Sequence, residues 1–360
     1  MLLGQEGAVG VGHQAKHVAL GVADAGVDID AKMGAIRQMG AAVKATHTPA
    51  VLAGLGAFGG CFDLAQVNAS LGQPVLVAST DGVGTKTAVA AAVGDVSAIG
   101  ADLVNHCIND ILCQGATPLF FLDYVAASKL DPAMIVALVE GLAGACRDAG
   151  IALLGGETAE MPGVYHEDAF DLAGTIVGVV DRSQLLDGAA IQAGDIVLAL
   201  PSTGLHTNGY SLARKVCAPL GYASAPPELG GQTIGAALLA PHRAYLKPIA
   251  ALRSAGVAIH GLVHITGGGI WDNVPRVLRE GLTMELVRGT WAVPPICRFV
   301  ADQAGLDERE AYHVLNMGLG MLVIIPAASQ AAAQALLPEA SPVGRIVAAS
   351  DELRVSLVDG

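Results

Sequence analysis

The chain has 360 residues, 52% of them hydrophobic, and a formal charge of −13. That length predicts one large or two ordinary domains with ample core. The negative balance repels phosphate backbones and so argues against nucleic acid as a partner; a phosphorylated substrate would need a cation to hold it.

In chain order, residues 1–20 have little periodicity and read as a loosely attached tail, without the basic start and apolar block of a signal peptide. The stretch LAGLGAFGG (52–60) contains G-x-G-x-x-G at Gly54, Gly56 and Gly59. A dinucleotide turn needs a strong strand before it and a long helix after it. Here Pro49 weakens the strand and the following helix has room for only two turns, so the spacing is read as coincidence. PVLVAST (74–80) is a strand ending in DGVGTK, and Val96–Gln114 is helical. PLFFLDYVA (118–126) is a strand, Pro132–Ala149 a helix stopped by Gly150, and IALLGG (151–156) and LAGTIVGVV (172–180) two further strands. Composition turns polar over Asp181–Gly194, which predicts a domain boundary.

The second half opens with strand IVLALP (196–201). Helices follow near Tyr210–Leu220 and Leu239–Ser254, then a glycine run closing Leu262–Gly269. The uncharged run Gly318–Pro338 is long enough to span a bilayer, but Pro326, Ser329, Gln330 and Gln334 break it. It reads as a buried strand, Met321–Ile325, and a surface helix, with no membrane association. The expected class is α+β (mixed α/β) in two domains: a tail (1–20), an N-terminal domain (21–182) and a C-terminal domain (183–360). Cys61, Cys107, Cys113, Cys146, Cys217 and Cys297 form no C-x-x-C pair and sit among apolar neighbours. They are expected to be reduced core residues of a cytosolic protein.

Several stretches carry chemistry. In Asp81-Gly-Val-Gly-Thr-Lys86, glycines after a strand let backbone N–H groups approach an anion, and Lys86 adds a positive charge. An ordinary strand-to-helix turn with a solvated lysine is the alternative. Asp81 favours the site, because an acid beside a phosphate loop calls for a bridging cation such as Mg²⁺. In ADLVNHCINDILCQG, Asp102, His106 and Asp110 recur every four residues, with Asn105 and Asn109 on the same face. A solvated face would use better helix formers, so the pattern predicts a site in which Asp110 is a second carboxylate for the metal. Glu157 follows a strand and two glycines, with Glu160, His166 and Asp168 nearby; a solvated acidic loop is the alternative. PSTGLHTNGYSLARK (201–215) and HITGGGIWDNVPRV (264–277) each place a Thr/Gly/Asn turn before a helix, a ready anion site, with His206 and His264 beside the turns.

Taken together, DGVGTK, NDILCQGATPLFFLDY, GGETAEMPG, GLHTNGYSLARK, HITGGG, NVPRVL and NMGLGM, in this order, closely resemble the aminoimidazole ribonucleotide synthetase (phosphoribosylformylglycinamidine cyclo-ligase) family of purine biosynthesis. AGVDIDA (25–31) resembles the family's N-terminal signature, so the likeness runs from about Ala25 to the C-terminus. It implies a cytoplasmic homodimer in which N-terminal sheets of two subunits pair, with a sandwich-like C-terminal α/β domain completing a nucleotide groove. It also implies a ligase: ATP activates the formyl amide oxygen of formylglycinamidine ribonucleotide, and the amidine nitrogen closes the imidazole ring with release of ADP and phosphate. By matching motifs, Asp81 and Asp110 would bind Mg²⁺, and Gly82, Gly84, Thr85, Lys86 and Asn109 would join them around ATP. His206, Asn208, Thr266, Gly267 and Gly268 would hold substrate. Lys86, His206 and Glu157 are the catalytic candidates; neutral His206 could accept the amidine proton. The sequence departs from the family at Val22, where a tyrosine is usual, and at Lys32-Met33, which leaves the roles of Asp28 and Asp30 open. Another ATP-using phosphotransferase of the superfamily, or a silent nucleotide-binding regulator, are the competing readings.

Overall fold

A computed structural model describes residues 39–53, 59–68, 71–166, 169–349 and 352–360. Gly54, Gly56, Asp168 and the AGVDIDA segment with Asp28 and Asp30 lie outside them, as do Val22, Lys32 and Met33. Two strands, β1 (Val51–Ala53) and β2 (Cys61–Phe62), flank the glycine-rich stretch and pair antiparallel. A dinucleotide turn joins a strand to a helix, so a hairpin at this place fits the reading of G-x-G-x-x-G as coincidence.

The remaining strands form two sheets. The first takes β3 (Pro74–Gly82), β4 (Thr117–Ala127), β5 (Ala152–Glu160) and β6 (Phe170–Asp181) in the order β3-β6-β4-β5, with only β4 and β5 parallel. Three helices accompany it: α1 (Lys86–Val93), α2 (Ile99–Leu112) and α3 (Pro132–Ala149). Helix α3 joins the parallel pair; Asp131 caps it by accepting from the Ala133 N–H, and left-handed Gly150 ends it. Helices α2 and α3 cross closely. A Cβ on Gly100 would stand 2.1 Å from the Leu138 carbonyl, and one on Gly141 3.0 Å from that of Ser97. Only glycine permits this approach.

The second sheet has the order β12-β9-β11-β7-β10-β8, antiparallel except for β12–β9. Its strands are β7 (Ile196–Pro201), β8 (Gly261–His264), β9 (Leu282–Val287), β10 (Leu319–Ile325), β11 (Ser341–Ala348) and β12 (Val355–Val358). Strand β10 is buried along its whole length because both faces are covered. Its Met321, Val323 and Ile325 join one core cluster while Leu322 and Ile324 join another, the period-2 alternation of a strand. The first cluster continues through Leu103, Ile108 and Leu142, so the two sheet units share one core.

One sequence boundary shifts, and one cysteine departs from the expected core position. The helix expected over Leu239–Ser254 begins at Leu246, because residues 241–245 run irregularly, tied down by bonds to α2 described below. Cys61 is exposed, while the other five cysteines are wholly or partly buried.

Candidate active site

Asp81 lies near the end of β3 and Asp110 near the end of α2, which packs over β3 and β6. A single imidazole ties them together. His106 Nε2 is 2.7 Å from Asp81 Oδ2 and 3.6 Å from Asp110 Oδ2. Asp81 also accepts from the Gly82 N–H at 2.7 Å, and Asp110 from Ser79 Oγ at 3.3 Å and His264 Nδ1 at 2.8 Å. Side-chain exposures of 41% for Asp81 and 26% for Asp110 leave both carboxylates facing solvent space. That space is a cavity of about 560 Å³ between the two units, lined also by Cys113, Gln114, Thr266, Asn273 and Arg276. Burial pushes the Asp81 carboxyl up, but the hydrogen bond and charge of His106 outweigh it and hold the group below its usual value. Burial works against protonation of His106, yet the bond to Asp81 and the surrounding carboxylates raise it overall.

Apart from Asp110, the polar face of α2 is largely covered. Asp102 and Asn109 are fully buried and His106 nearly so, all against the C-terminal unit. Asn109 donates to the Arg243 carbonyl and accepts from the Tyr245 N–H at 2.9 Å, and Asn105 donates to the His242 carbonyl. Asp102 Oδ1 accepts from the His242 N–H at 2.7 Å. Asn109 is therefore a strut between the units rather than a group presented to ATP.

Lys86 also requires correction. Its ammonium is fully buried, 2.7 Å from Asp102 Oδ2 and donating to the Ala240 carbonyl at 2.8 Å. Burial pulls the lysine down and the aspartate up, each opposed by the other's charge. As the first residue of α1, Lys86 points inward, so it does not meet a phosphate from this position. Its neighbours do face outward: Gly84 and Thr85 are exposed, Gly84 is left-handed (φ 67°), and Thr85 Oγ1 lies 3.4 Å from Ser211 Oγ. The DGVGTK turn thus abuts helix α4 (Tyr210–Cys217), directly after the GLHTNG turn.

His206 lies behind the cavity wall, 1% exposed and stacked on His242 with ring centroids 4.0 Å apart. It does not line the cavity. Burial and neighbouring cationic groups hold it well below the usual imidazole value, so it is neutral at pH 7. Asn208 stands beside Gly267, where a Cβ would come 3.3 Å from its Oδ1. That brings the two substrate turns together. Asn273 orders the second turn by donating to the carbonyls of Thr266, Gly267 and Gly269 and accepting from Thr266 Oγ1. Gly268 and Gly269 are left-handed, and a Cβ on Gly269 would meet the Tyr312 carbonyl at 1.8 Å. The helix after this turn, Gly269–Asn273, has five residues, so the N–H groups of the turn itself, rather than a long helix dipole, are what it offers an anion.

Glu157 is not brought to the carboxylate pair. Strand register aligns Gly82, Ala173, Tyr124 and Glu157 in one row. Glu157 sits at the opposite sheet edge, three strand spacings of about 4.8 Å away. It is exposed and accepts from the Thr158 N–H. Sequence reading missed Ser79, Thr207, His242 and Arg276, which the fold brings in or around the site from four separate segments. Thr207, inside GLHTNGYSLARK, and Arg276, inside NVPRVL, lay in motifs already singled out.

The two-sheet architecture and its interdomain cavity define a class. Residues 63–180 match the family described as AIR synthase related protein, N-terminal domain, and residues 192–356 match its C-terminal domain. Solved structures share the fold at low identity. Hydrogenase maturation protein HypE in complex with ATP superposes with a TM-score of 0.66 at 18% identity, covering 94% of each chain. Thiamine-monophosphate kinase from Stenotrophomonas maltophilia gives 0.62 at 18% identity, covering 90% of this chain and 95% of that one.

Closer relatives narrow the class. The phosphoribosylformylglycinamidine cyclo-ligase of Thermosynechococcus vestitus is 44% identical over 333 residues, 91% of this chain and 97% of that protein. The protein of the same name from Bifidobacterium animalis is 47% identical over 305 residues, 84% and 88% of the two chains. The chain belongs to the phosphoribosylformylglycinamidine cyclo-ligase family.

Proposed function

We infer that this protein is an ATP-dependent ligase that closes the imidazole ring of aminoimidazole ribonucleotide from formylglycinamidine ribonucleotide, a step of purine biosynthesis. The observation that carries the reading is identity of 44–47% to cyclo-ligases over most of the chain. The site suits the chemistry. An amide oxygen is a poor leaving group until phosphorylated, and phosphoryl transfer needs positioning and charge neutralisation more than covalent help.

The Asp81 and Asp110 carboxylates, part-exposed on one cavity and sharing one imidazole, fit the oxygen-donor preference of Mg²⁺. Bound there, Mg²⁺ would neutralise charge on the ATP phosphates. Around that pair, His106 and His264 orient the carboxylates, and the exposed Gly84–Thr85 backbone offers N–H groups to phosphate. Thr266, Gly267, Gly268 and Asn208, with Arg276 across the cavity, hold the substrate's ribose phosphate. Lys86 and Asn109 act by fixing the two units against each other. Glu157, remote from the pair, does not serve it within one subunit. His206 is assigned an orienting role behind the cavity.

The reading includes a cytoplasmic homodimer with a domain division near 182/183. The outer face of the first sheet supports pairing: Leu76 is 58% and Tyr124 36% exposed there. The deciding assay supplies formylglycinamidine ribonucleotide, ATP and Mg²⁺. Aminoimidazole ribonucleotide should form with one ADP per ring. ADP without ring closure would assign a related kinase instead, and binding without turnover would leave a regulator.

A further inference from the structure

The substrate turn and the carboxylate pair meet at one side chain. Thr207, in the turn GLHTNG, is 8% exposed and lies between two imidazoles. Its Oγ1 is 2.7 Å from His106 Nδ1 and 3.3 Å from His242 Nδ1. The His242 side is fixed. Asn109 accepts from the Tyr245 N–H and donates to the Arg243 carbonyl, so its amide cannot be turned round. The same amide nitrogen stands 3.1 Å from His242 Nε2, which therefore accepts. The His242 proton is thus on Nδ1 and is donated to the Thr207 hydroxyl. On the other side, His106 Nε2 reaches Asp81 Oδ2 and Asp110 Oδ2. A hydroxyl both donates and accepts, so its bond to His106 Nδ1 holds whether that ring is neutral or charged.

The chain neighbours of Thr207 show a turn under tension. His206 has a positive φ of 60°, one of two such non-glycine residues among those described. Asn208 has a buried amide nitrogen, Nδ2, with no hydrogen-bond partner among the described residues. Its backbone N–H reaches the Leu205 carbonyl only at 3.4 Å. Strained backbone and unsatisfied buried groups gather at ligand clamps and switch segments. Thr207 is β-branched and so stiff about χ1, which makes its hydroxyl follow any shift of the turn's backbone.

We propose that Thr207 is a positioning residue that couples occupancy of the substrate turn to cation binding at Asp81 and Asp110. The proposal rests on the ring-closing reading, in which Asn208 and the turn at Thr266–Gly268 hold the ribose phosphate and the two aspartates hold Mg²⁺. An anion seated on Asn208 fixes the turn, the turn fixes Thr207, and Thr207 fixes the His106 ring against which both carboxylates are set. Ordering imposed by the first ligand is not required again by the second, so each ligand tightens the other by the same factor. Thr207 does not line the cavity, so it acts through His106 rather than by contact. Groups that orient metal ligands in this way are worth roughly 10–100-fold in metal affinity.

The test uses the full-length protein without ATP, with Mn²⁺ as a paramagnetic substitute for Mg²⁺. Mn²⁺ affinity is measured with and without formylglycinamidine ribonucleotide, and the ratio is the coupling factor. A factor of roughly fivefold or more is expected in the wild type. Thr207→Val keeps the shape and removes the hydroxyl. Folded by circular dichroism, it should bind the ribonucleotide alone as the wild type does, bind Mn²⁺ roughly 10–100-fold more weakly, and show a factor near one. Thr207→Ala carries the same expectation should the valine variant not fold, and Thr207→Ser, which keeps the hydroxyl, should retain coupling. A merely structural Thr207 would leave the factor intact in a folded variant, and that result overturns the proposal, as does loss of coupling in the serine variant. A factor of one in a wild type that forms aminoimidazole ribonucleotide overturns the coupling alone. A wild type that neither binds nor converts the ribonucleotide removes the ring-closing reading, and the coupling with it.

Discussion

His106 is the residue on which the site geometry turns, because one ring nitrogen serves both carboxylates. Its other nitrogen is 2.7 Å from Thr207 Oγ1, a group of the C-terminal unit. A helix residue of the first unit is thereby locked by a loop of the second. The spacing Asp102–His106–Asp110 was legible as a site because short, helix-averse side chains recur at i, i+4. Which of the three faces the cavity was not legible, since that depends on how far the second unit covers the helix. Asp102 is covered and spent on Lys86; Asp110 is not. The roles assigned here predict that Asp110→Asn lowers turnover on the order of 10²-fold. The Mg²⁺ concentration for half-maximal rate should rise with it. Steady-state kinetics across a Mg²⁺ series checks this, and an unchanged metal response at reduced turnover would refute the metal role of Asp110.

At the scale of elements, sequence punctuation carried most of the reading. Helix α3 could be drawn end to end, with Pro132 at its first position, Asp131 as a side-chain cap and Gly150 in the left-handed conformation that stops it. Strand β10 announced itself as an apolar run bounded by glycine and proline. The segment 239–245 misled because Leu and Ala have high helix propensity, whereas its backbone is claimed by tertiary partners. The His242 N–H goes to Asp102 and the Tyr245 N–H to Asn109, both on α2. Tertiary bonds of this kind have no local signature. The crossing of α2 and α3 was equally hidden, since Gly100 and Gly141 lie far apart in sequence and only their apposition explains them. Gly141→Ala brings a methyl to 3.0 Å from the Ser97 carbonyl and 3.3 Å from the Ala101 nitrogen. Ala favours a helix over Gly by roughly 1 kcal/mol, but overpacking of a close crossing costs about 1–3 kcal/mol. A net loss of stability is expected, read as a lower denaturation midpoint at unchanged m-value; equal or higher stability would mean that the crossing relaxes freely.

For the molecule as a whole, the Lys86–Asp102 pair is a buried ionic pin between the units. Lys86 reaches from the first unit to the Ala240 carbonyl of the second, and Asp102 holds the His242 N–H. Removing one partner strands a buried charge, at a cost of about 3–5 kcal/mol. Lys86→Met should therefore lower stability by that order while leaving the KM for ATP of the folded fraction near the wild-type value. A raised KM at unchanged melting temperature would return Lys86 to the phosphates. The second consequence concerns the sheet face away from the helices. Register puts Leu76, Ala78 and Thr80 of β3 on one face with Val177 and Thr175 of β6 and Leu122 and Tyr124 of β4. Leu76 and Tyr124 are exposed there, and Val177 and Leu122 only half-buried. Both faces of a four-stranded sheet are expensive to leave wet when both carry apolar side chains, and a contiguous apolar patch of this kind marks an interaction surface. In the proposed homodimer a second copy presenting the same face would satisfy it by two-fold symmetry, with each Leu76 meeting its own kind of surface. Leu76→Glu sets two like charges into that interface while leaving the helix-covered face untouched. The wild type should elute as a dimer in light-scattering chromatography and the variant as a monomer with unchanged circular dichroism. A wild type that is monomeric, or a variant that stays dimeric, would move the contact elsewhere on the molecule.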